Sequence, residues 1–282
     1  MEKEMIKFCK QVVLLALIPL VLFACNGIES KKYVATSPIL ERILSRGELI
    51  VGTAASMPPL NMTTKSGEII GIEPDIATFI AGGMGVKLTM KPMSFHQLLP
   101  ALEAGEIDLV MSSMTMTGKR NLKVAFVGPY FISGKSILTK DIAIASINSG
   151  SELNKPDITL AALQGSTSQQ VIESMLPKTK LVTTESYNDA VKMVLNREVN
   201  ALVADYPICL ISTFRYPEHE LSTMLKPFTF EPIGIAAPAN DPLLVNWLNN
   251  FLISFKSSGE LERVTGSWLK NGDWIKKLPD VE

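Results

Sequence analysis

The sequence is poor in the residues that most often carry chemistry by themselves. It has two histidines in 282 residues, His96 and His219, and neither falls in a metal-ligand spacing. A G-x-S-x-G elbow and a Walker loop are also missing. An enzyme would have to assemble paired carboxylates through its fold. His96 is read as part of the solvated face of an amphipathic stretch, and His219 as loop surface. Cysteine is scarce as well, with Cys9, Cys25 and Cys209 the complete set. Basic stripes and aromatic–basic interleaving are absent, which argues against nucleic acid as a partner.

What is present begins with a strong amino-terminal pattern. Residues 1–10 carry Lys3, Lys7 and Lys10 against Glu2 and Glu4, and the 14 residues of Val12–Cys25 follow without a charge. That run is shorter than the roughly 20 residues a membrane-spanning helix needs. A basic start, a short apolar run and small residues make the layout of an export signal. It ends Leu22-Phe23-Ala24-Cys25, which resembles the lipobox of bacterial lipoproteins, with Phe23 bulkier than usual. Residues 1–25 are therefore expected to be a lipoprotein signal peptide and Cys25 the lipidated residue. An uncleaved anchor or a plain secretory signal are the simpler readings. Residues 26–37, including the polar stretch Glu29–Ser37, read as a tether. Without Cys9, and with Cys25 lipidated, Cys209 has no partner, so the fold must rest on its core, which this length allows. Taking those three lysines and two glutamates from the 27 cations and 28 anions leaves a net charge of −2.

From Ile39 onward, short apolar runs alternate with helical stripes. Leu49–Ala55, Asp108–Met114, Ile158–Gln164, Ala201–Asp205 and Ile233–Pro238 have strand length. Phe95, Leu98, Leu99 and Leu102 share a helical face, and Ser94 with Gln97 resembles a capping box. Pro100 predicts that the regular helix begins near Gln97, because proline is tolerated in a first turn. Further stripes are Tyr187, Ala190, Val191, Val194 and Leu195, and Leu244 through Phe255, with Ser258-Gly259 as a stop. Alternating strands and helices predict α/β layers with ligands at the carboxyl ends of the strands.

Polar groups gather at three of those ends. In MSSMTMTGKR (111–120), an extended chain puts Ser113, Thr115 and Thr117 on one face, near Arg120. Hydroxyls with a two-pronged guanidinium suit a carboxylate; alternatively Arg120 meets a surface acid and the hydroxyls cap residues 121–124. Gln164-Gly165-Ser166-Thr167-Ser168 leads from a strand into a helix, which makes an anion site or simple capping. Asp205 ends the run Ala201–Ala204 and either binds a ligand's ammonium or pairs with a lysine. Together the three groups supply both halves of an amino acid's zwitterion.

At this point the residues resemble the bacterial solute-binding proteins of family 3, the amino-acid-binding proteins of ABC importers. The matching pieces are Val51-Gly52-Thr53, Gly71-Ile72-Glu73-Pro74-Asp75-Ile76-Ala77, Leu99-Pro100-Ala101-Leu102 with Gly105-Glu106-Ile107-Asp108, and the stretch ending at Arg120. Phe126-Val127-Gly128-Pro129-Tyr130, Gln164-Gly165-Ser166, Asp189-Ala190, Asp205 and the terminal helix to Trp268 complete the order. The resemblance implies a two-lobed α/β periplasmic-binding-protein fold of type II, with two hinge strands and the ligand in the interlobe cleft. Lobe one would comprise residues 38–131 and 231–282, and lobe two residues 132–230.

It further implies that Arg120 clamps a ligand α-carboxylate, helped by Thr115 and Thr167, with Ser166 beside them. Asp205 and the hydroxyl or carbonyl near Ser113 would take the α-ammonium, and Phe95 and Met57 would wall the side-chain pocket. Family members often have an aromatic at Met57 and, where the ligand is basic, an acid at Ala54. The family's T-x-[ED]-R is Thr117-Gly118-Lys119-Arg120 here, and its G-F-D is Gly71-Ile72-Glu73. With no charge assigned to the pocket beyond the clamp, a neutral side chain is expected over lysine, arginine or glutamate. The implied protein is a monomeric extracytoplasmic lipoprotein without cofactor or metal, serving an ABC permease. An exported dehydratase-like enzyme or a ligand-sensing subunit on the same fold is the alternative.

Overall fold

The computed structural model describes residues 37–147 and 149–279. The expected signal segment 1–25, its Cys25, and the tether up to residue 36 lie outside the described residues. From Ser37 onward the chain forms one compact unit built around two five-stranded sheets.

The first sheet has the order β5-β1-β6-β13-β7. Strand β1 (Glu48–Thr53) lies parallel to β5 (Lys87–Pro92) and to β6 (Leu109–Val110), with Val51 opposite Leu109. Strands β7 (Val124–Ser133) and β13 (Glu231–Pro238) run antiparallel to each other, with Ser133 opposite Glu231. The second sheet has the order β10-β9-β11-β8-β12. Its parallel core is β9 (Thr159–Leu163), β10 (Lys180–Thr184) and β11 (Ala201–Asp205), and β8 (Lys135–Thr139) with β12 (Ser222–Thr223) completes it. A small third sheet joins β2 (Ser56–Met57), β3 (Asn61–Thr63) and β4 (Ile69–Ile70).

Helices cover the sheets because their apolar stripes match the sheets' buried faces. In the first lobe these are α1 (Pro38–Arg46), α2 (Ile72–Met84), α3 (Phe95–Glu103) and the short α4 (Gly118–Asn121). In the second they are α5 (Ile142–Ala145), α6 (Thr167–Met175), α7 (Tyr187–Leu195) and α8 (Tyr206–Arg215). After β13 come α9 (Pro242–Ser257), α10 (Glu260–Lys270) and a short 3-10 helix over Asp273–Lys277. Leu244, Leu248, Leu252 and Phe255 of α9 bury with Ile72, Ile76 and Ile80 of α2 against Leu49, Val51 and Ile233. All five residues of β11 are buried, as in a strand covered on both faces.

The chain passes from the first sheet to the second at Ser133–Lys135 and returns at Thr229–Glu231. These crossings lie side by side: the Lys135 N–H donates to Thr229 Oγ1 at 2.8 Å, and the Phe228 N–H to the Lys135 carbonyl at 2.8 Å. Gly134 permits the approach, since a Cβ there would lie 2.2 Å from the Thr229 carbonyl oxygen.

Three local expectations need correction. The run Asp108–Met114 is a strand only over Leu109–Val110, because the backbone then turns and Ser113 adopts φ 48°. Helix α3 starts at Phe95 and carries Pro100 in its interior; burial of Leu98, Ala101 and Leu102 holds the turn that proline weakens. Ser94 precedes that helix without a side-chain cap, so the capping box does not form.

Candidate functional site

The turn after β6 sets the first group of polar residues. Beyond Val110 the Ser113 N–H donates to Glu73 Oε1 at 2.7 Å, which holds the residue in its left-handed conformation. The Ser113 hydroxyl then reaches the second lobe and donates to Asp205 Oδ2 at 2.9 Å. Thr115 is fastened to β13 by a bridge to Ile233, and its hydroxyl lies 3.3 Å from that of Thr167. Thr117 does not share this face. Its backbone is extended (φ −122°, ψ 149°), but its hydroxyl is the N-cap of α4, which begins at Gly118, and accepts the Arg120 N–H at 3.2 Å.

That turn aims Arg120 inward. Its guanidinium donates to the Thr115 carbonyl at 2.8 Å and to the Gly165 carbonyl at 3.1 Å, and lies 5.5 Å from the centre of the Phe95 ring. Burial pulls the guanidinium down to about 10, opposed by the charges of Glu231 and Asp205, so it remains a cation at neutral pH. Arg120 is thus not paired with a surface acid.

In the second lobe, Ser166 is the N-cap of α6: its hydroxyl accepts the Gln169 N–H at 3.2 Å and donates to the Leu163 carbonyl at 2.7 Å. Both capping and a polar cluster are therefore present, with Ser166 serving the cap and Thr167 facing Thr115. Gly165 has φ +74°, and a Cβ there would come within 2.9 Å of the His96 Cβ. Glycine is needed on both counts. His96 is not simply on a solvated face, since its Nδ1 lies 3.5 Å from Glu185 Oε2, across from α3.

Asp205, at the end of β11, does pair with a lysine. Strands β8 and β11 are antiparallel with Asp205 opposite Lys135, and Lys135 Nζ donates to Asp205 Oδ1 at 2.6 Å. The same ammonium is 3.7 Å from Glu231 Oε2. Glu231 accepts from the Thr167 hydroxyl at 3.0 Å and from the Thr229 hydroxyl at 3.1 Å. Lys135 is 1% exposed, Asp205 3% and Glu231 5%, so these charges answer one another rather than water.

This buried cluster therefore holds charges beyond the expected clamp, and the sequence alone did not reveal Lys135 or Glu231. Each opens a strand next to a crossing, where a charged residue reads as a loop end. The one available signal was the alternative that Asp205 meets a lysine, with nothing to say which one. Met57 and Phe95 are buried in an apolar cluster that also contains Tyr187 and Ile208 of the second lobe. Ala54 contributes no charge; its N–H donates to the Ser112 hydroxyl at 2.8 Å. The structure thus brings together Ser113, Thr115, Arg120, Phe95, Thr167 and Asp205 at the meeting of the lobes. Among the described residues no group of three or more histidine, cysteine or acidic side chains could hold a metal.

Comparison with known proteins bears on this geometry. The family model for bacterial extracellular solute-binding proteins, family 3, matches residues 49–271. The ABC transporter glutamine-binding protein GlnH of Bacillus subtilis is 31% identical over 274 residues, covering 93% of this chain and 98% of its own length. Among solved structures, an ancestral amino acid-binding protein, a precursor of cyclohexadienyl dehydratase, matches with a TM-score of 0.74 and 36% identity. That match covers 81% of this chain and 98% of the other. A protein assigned as the binding component of an ABC transporter from Wolinella succinogenes, complexed with lysine, matches with a TM-score of 0.78 and 33% identity. It covers 82% of this chain and 100% of the other.

Proposed function

Because the chain belongs to the bacterial extracellular solute-binding proteins, family 3, we propose that it holds one α-amino acid with a neutral side chain between its lobes for an ABC transporter. The observation that carries this reading is the burial of both charge signs at the meeting of the lobes. Arg120 with Thr115 and Thr167 suits a carboxylate. Asp205 Oδ2 with the Ser113 hydroxyl suits an ammonium. Arg120 and Lys135 balance Asp205 and Glu231, so a net-neutral zwitterion leaves the balance undisturbed, whereas a charged side chain would need a further partner. Met57 and Phe95 add apolar wall, and methionine adapts readily to ligand shape.

The Ser113–Asp205, Thr115–Thr167, Arg120–Gly165 and Thr167–Glu231 contacts each join a residue of one lobe to a residue of the other, so the lobes as described are closed on one another. Opening about the two crossings at Ser133–Lys135 and Thr229–Glu231 would admit the ligand. On this reading residues 38–131 and 231–282 form one lobe and residues 132–230 the other. The site is assembled within a single chain, so a monomer suffices. Lipid attachment at Cys25, after export directed by residues 1–25, would hold the protein at the outer face of the cytoplasmic membrane or of the cell.

Calorimetry with purified Arg120→Ala tests the clamp. Leaving a desolvated carboxylate unpaired costs about 3–5 kcal/mol, so the variant should lose roughly a hundredfold or more in affinity. Unchanged affinity would refute the assignment. Mass spectrometry of the recovered ligand separates a binder from a dehydratase-like enzyme: a binder returns the amino acid unaltered.

A further inference from the structure

Among the described residues Lys135 is the largest of the side chains less than 2% exposed, and its ammonium sits between two carboxylates. Its Nζ is 2.6 Å from Asp205 Oδ1 and 3.7 Å from Glu231 Oε2. Asp205 is consequently divided. Oδ1 is engaged by the chain's own cation, and Oδ2 faces Ser113 and the first lobe. Glu231 is divided too, with Oε2 shared by Thr167 and Lys135 and Oε1 taken by Thr229.

We propose that Lys135 determines the side-chain charge that the site accepts, by supplying from within the cation that Asp205 and Glu231 would otherwise demand of the ligand. The inference rests on the amino-acid reading above and deepens it. A ligand's α-carboxylate and α-ammonium are matched by Arg120 and Asp205. Glu231 is then left as a second buried acid, and Lys135 is the group that neutralises it. With Lys135 present, a cationic side chain enters a site already balanced and is repelled by an ammonium it cannot displace. With Lys135 removed, one carboxylate stays uncompensated, and a lysine or arginine side chain relieves it. The titratable group packed against the turn from α2, Glu73, lies behind Ser113 and faces Tyr130 and Asn61.

Lys135 is suited to substitution because its backbone bonds to Thr229 and Phe228 do not involve the side chain. Affinities for glutamine, arginine and glutamate are measured by calorimetry on the wild type, Lys135→Met and Glu231→Gln. The wild type should prefer glutamine. Lys135→Met, close in volume, should move the arginine-to-glutamine affinity ratio toward arginine by roughly tenfold or more. Glu231→Gln leaves the ammonium in surplus and should move the glutamate-to-glutamine ratio the other way, toward glutamate. This second arm does not depend on Lys135→Met folding. Ratios unchanged from wild type in whichever variants fold, or a wild type that prefers arginine, would overturn the role of Lys135. A wild type that binds no amino acid at all would instead remove the amino-acid reading itself, and this inference with it.

Discussion

At the residue scale, Glu73 is fully buried near the start of α2 and supports the turn that carries Ser113. Burial pushes its carboxyl up to about 7, and the bonds it accepts from the Tyr130 hydroxyl, the Ser113 N–H and the Asn61 amide offset only part of that rise. In the unfolded chain the same group ionises near its ordinary value of 4.5. Between those two values the folded protein keeps a proton that the unfolded chain has lost. Glu73 therefore makes stability fall as pH rises from about 4.5 to about 7, with the full loss present above that range. Glu73→Gln should flatten this part of the profile. Urea unfolding at pH 5 and pH 8 checks it, and a variant whose decline matches wild type would show that another group is responsible.

At the scale of elements, a single carboxylate joins the beginnings of two helices. Asp241 Oδ1 accepts from the Leu244 N–H of α9 at 2.9 Å and from the Ser37 hydroxyl at 2.6 Å. Its Oδ2 accepts from the Ile39 and Leu40 N–H groups of α1 at 2.8 and 3.1 Å. Burial alone would raise this carboxyl, but these four donors together hold it below its ordinary 3.8. The stability it contributes is thus present at neutral pH and lost only as pH falls below that value. Asp241→Ala removes the caps of α1 and α9 together and should lower unfolding stability by roughly 2–4 kcal/mol. Denaturant melts give the measurement, with Asp241→Asn expected to lose less. Unchanged melts would mean that water replaces the carboxylate at both helix ends.

At the scale of the whole molecule, a lipid anchor would keep this member of an extracytoplasmic solute-binding family near its transporter. The run Val12–Cys25, ending in Leu22-Phe23-Ala24-Cys25, carries that expectation. One acyl chain gives marginal membrane binding and two give stable anchoring. Cys25→Ser should therefore release the protein from membranes or leave its precursor unprocessed. Fractionation and intact mass test this; unchanged membrane association and mass would rule out lipidation at Cys25.

Much of the fold was legible along the chain because its cause is local periodicity. The α7 and α9 stripes, β9, β11 and the Ser166 cap all follow from residues a few positions apart. The candidate site was partly legible for the same reason, since Ser113, Thr115 and Arg120 lie within one stretch and Thr167 and Asp205 mark strand ends. Local rules failed where tertiary packing outweighed them, as at Pro100 inside α3 and in the turn at Ser113 that Glu73 stabilises from 40 residues away. The charge balance of the buried cluster was decided by tertiary structure alone. Lys135 meets Asp205 because β8 and β11 pair in one register, and Glu231 joins them because the two crossings run side by side. Residue spacing cannot state such a pairing, because it depends on which strands the folded sheets make neighbours.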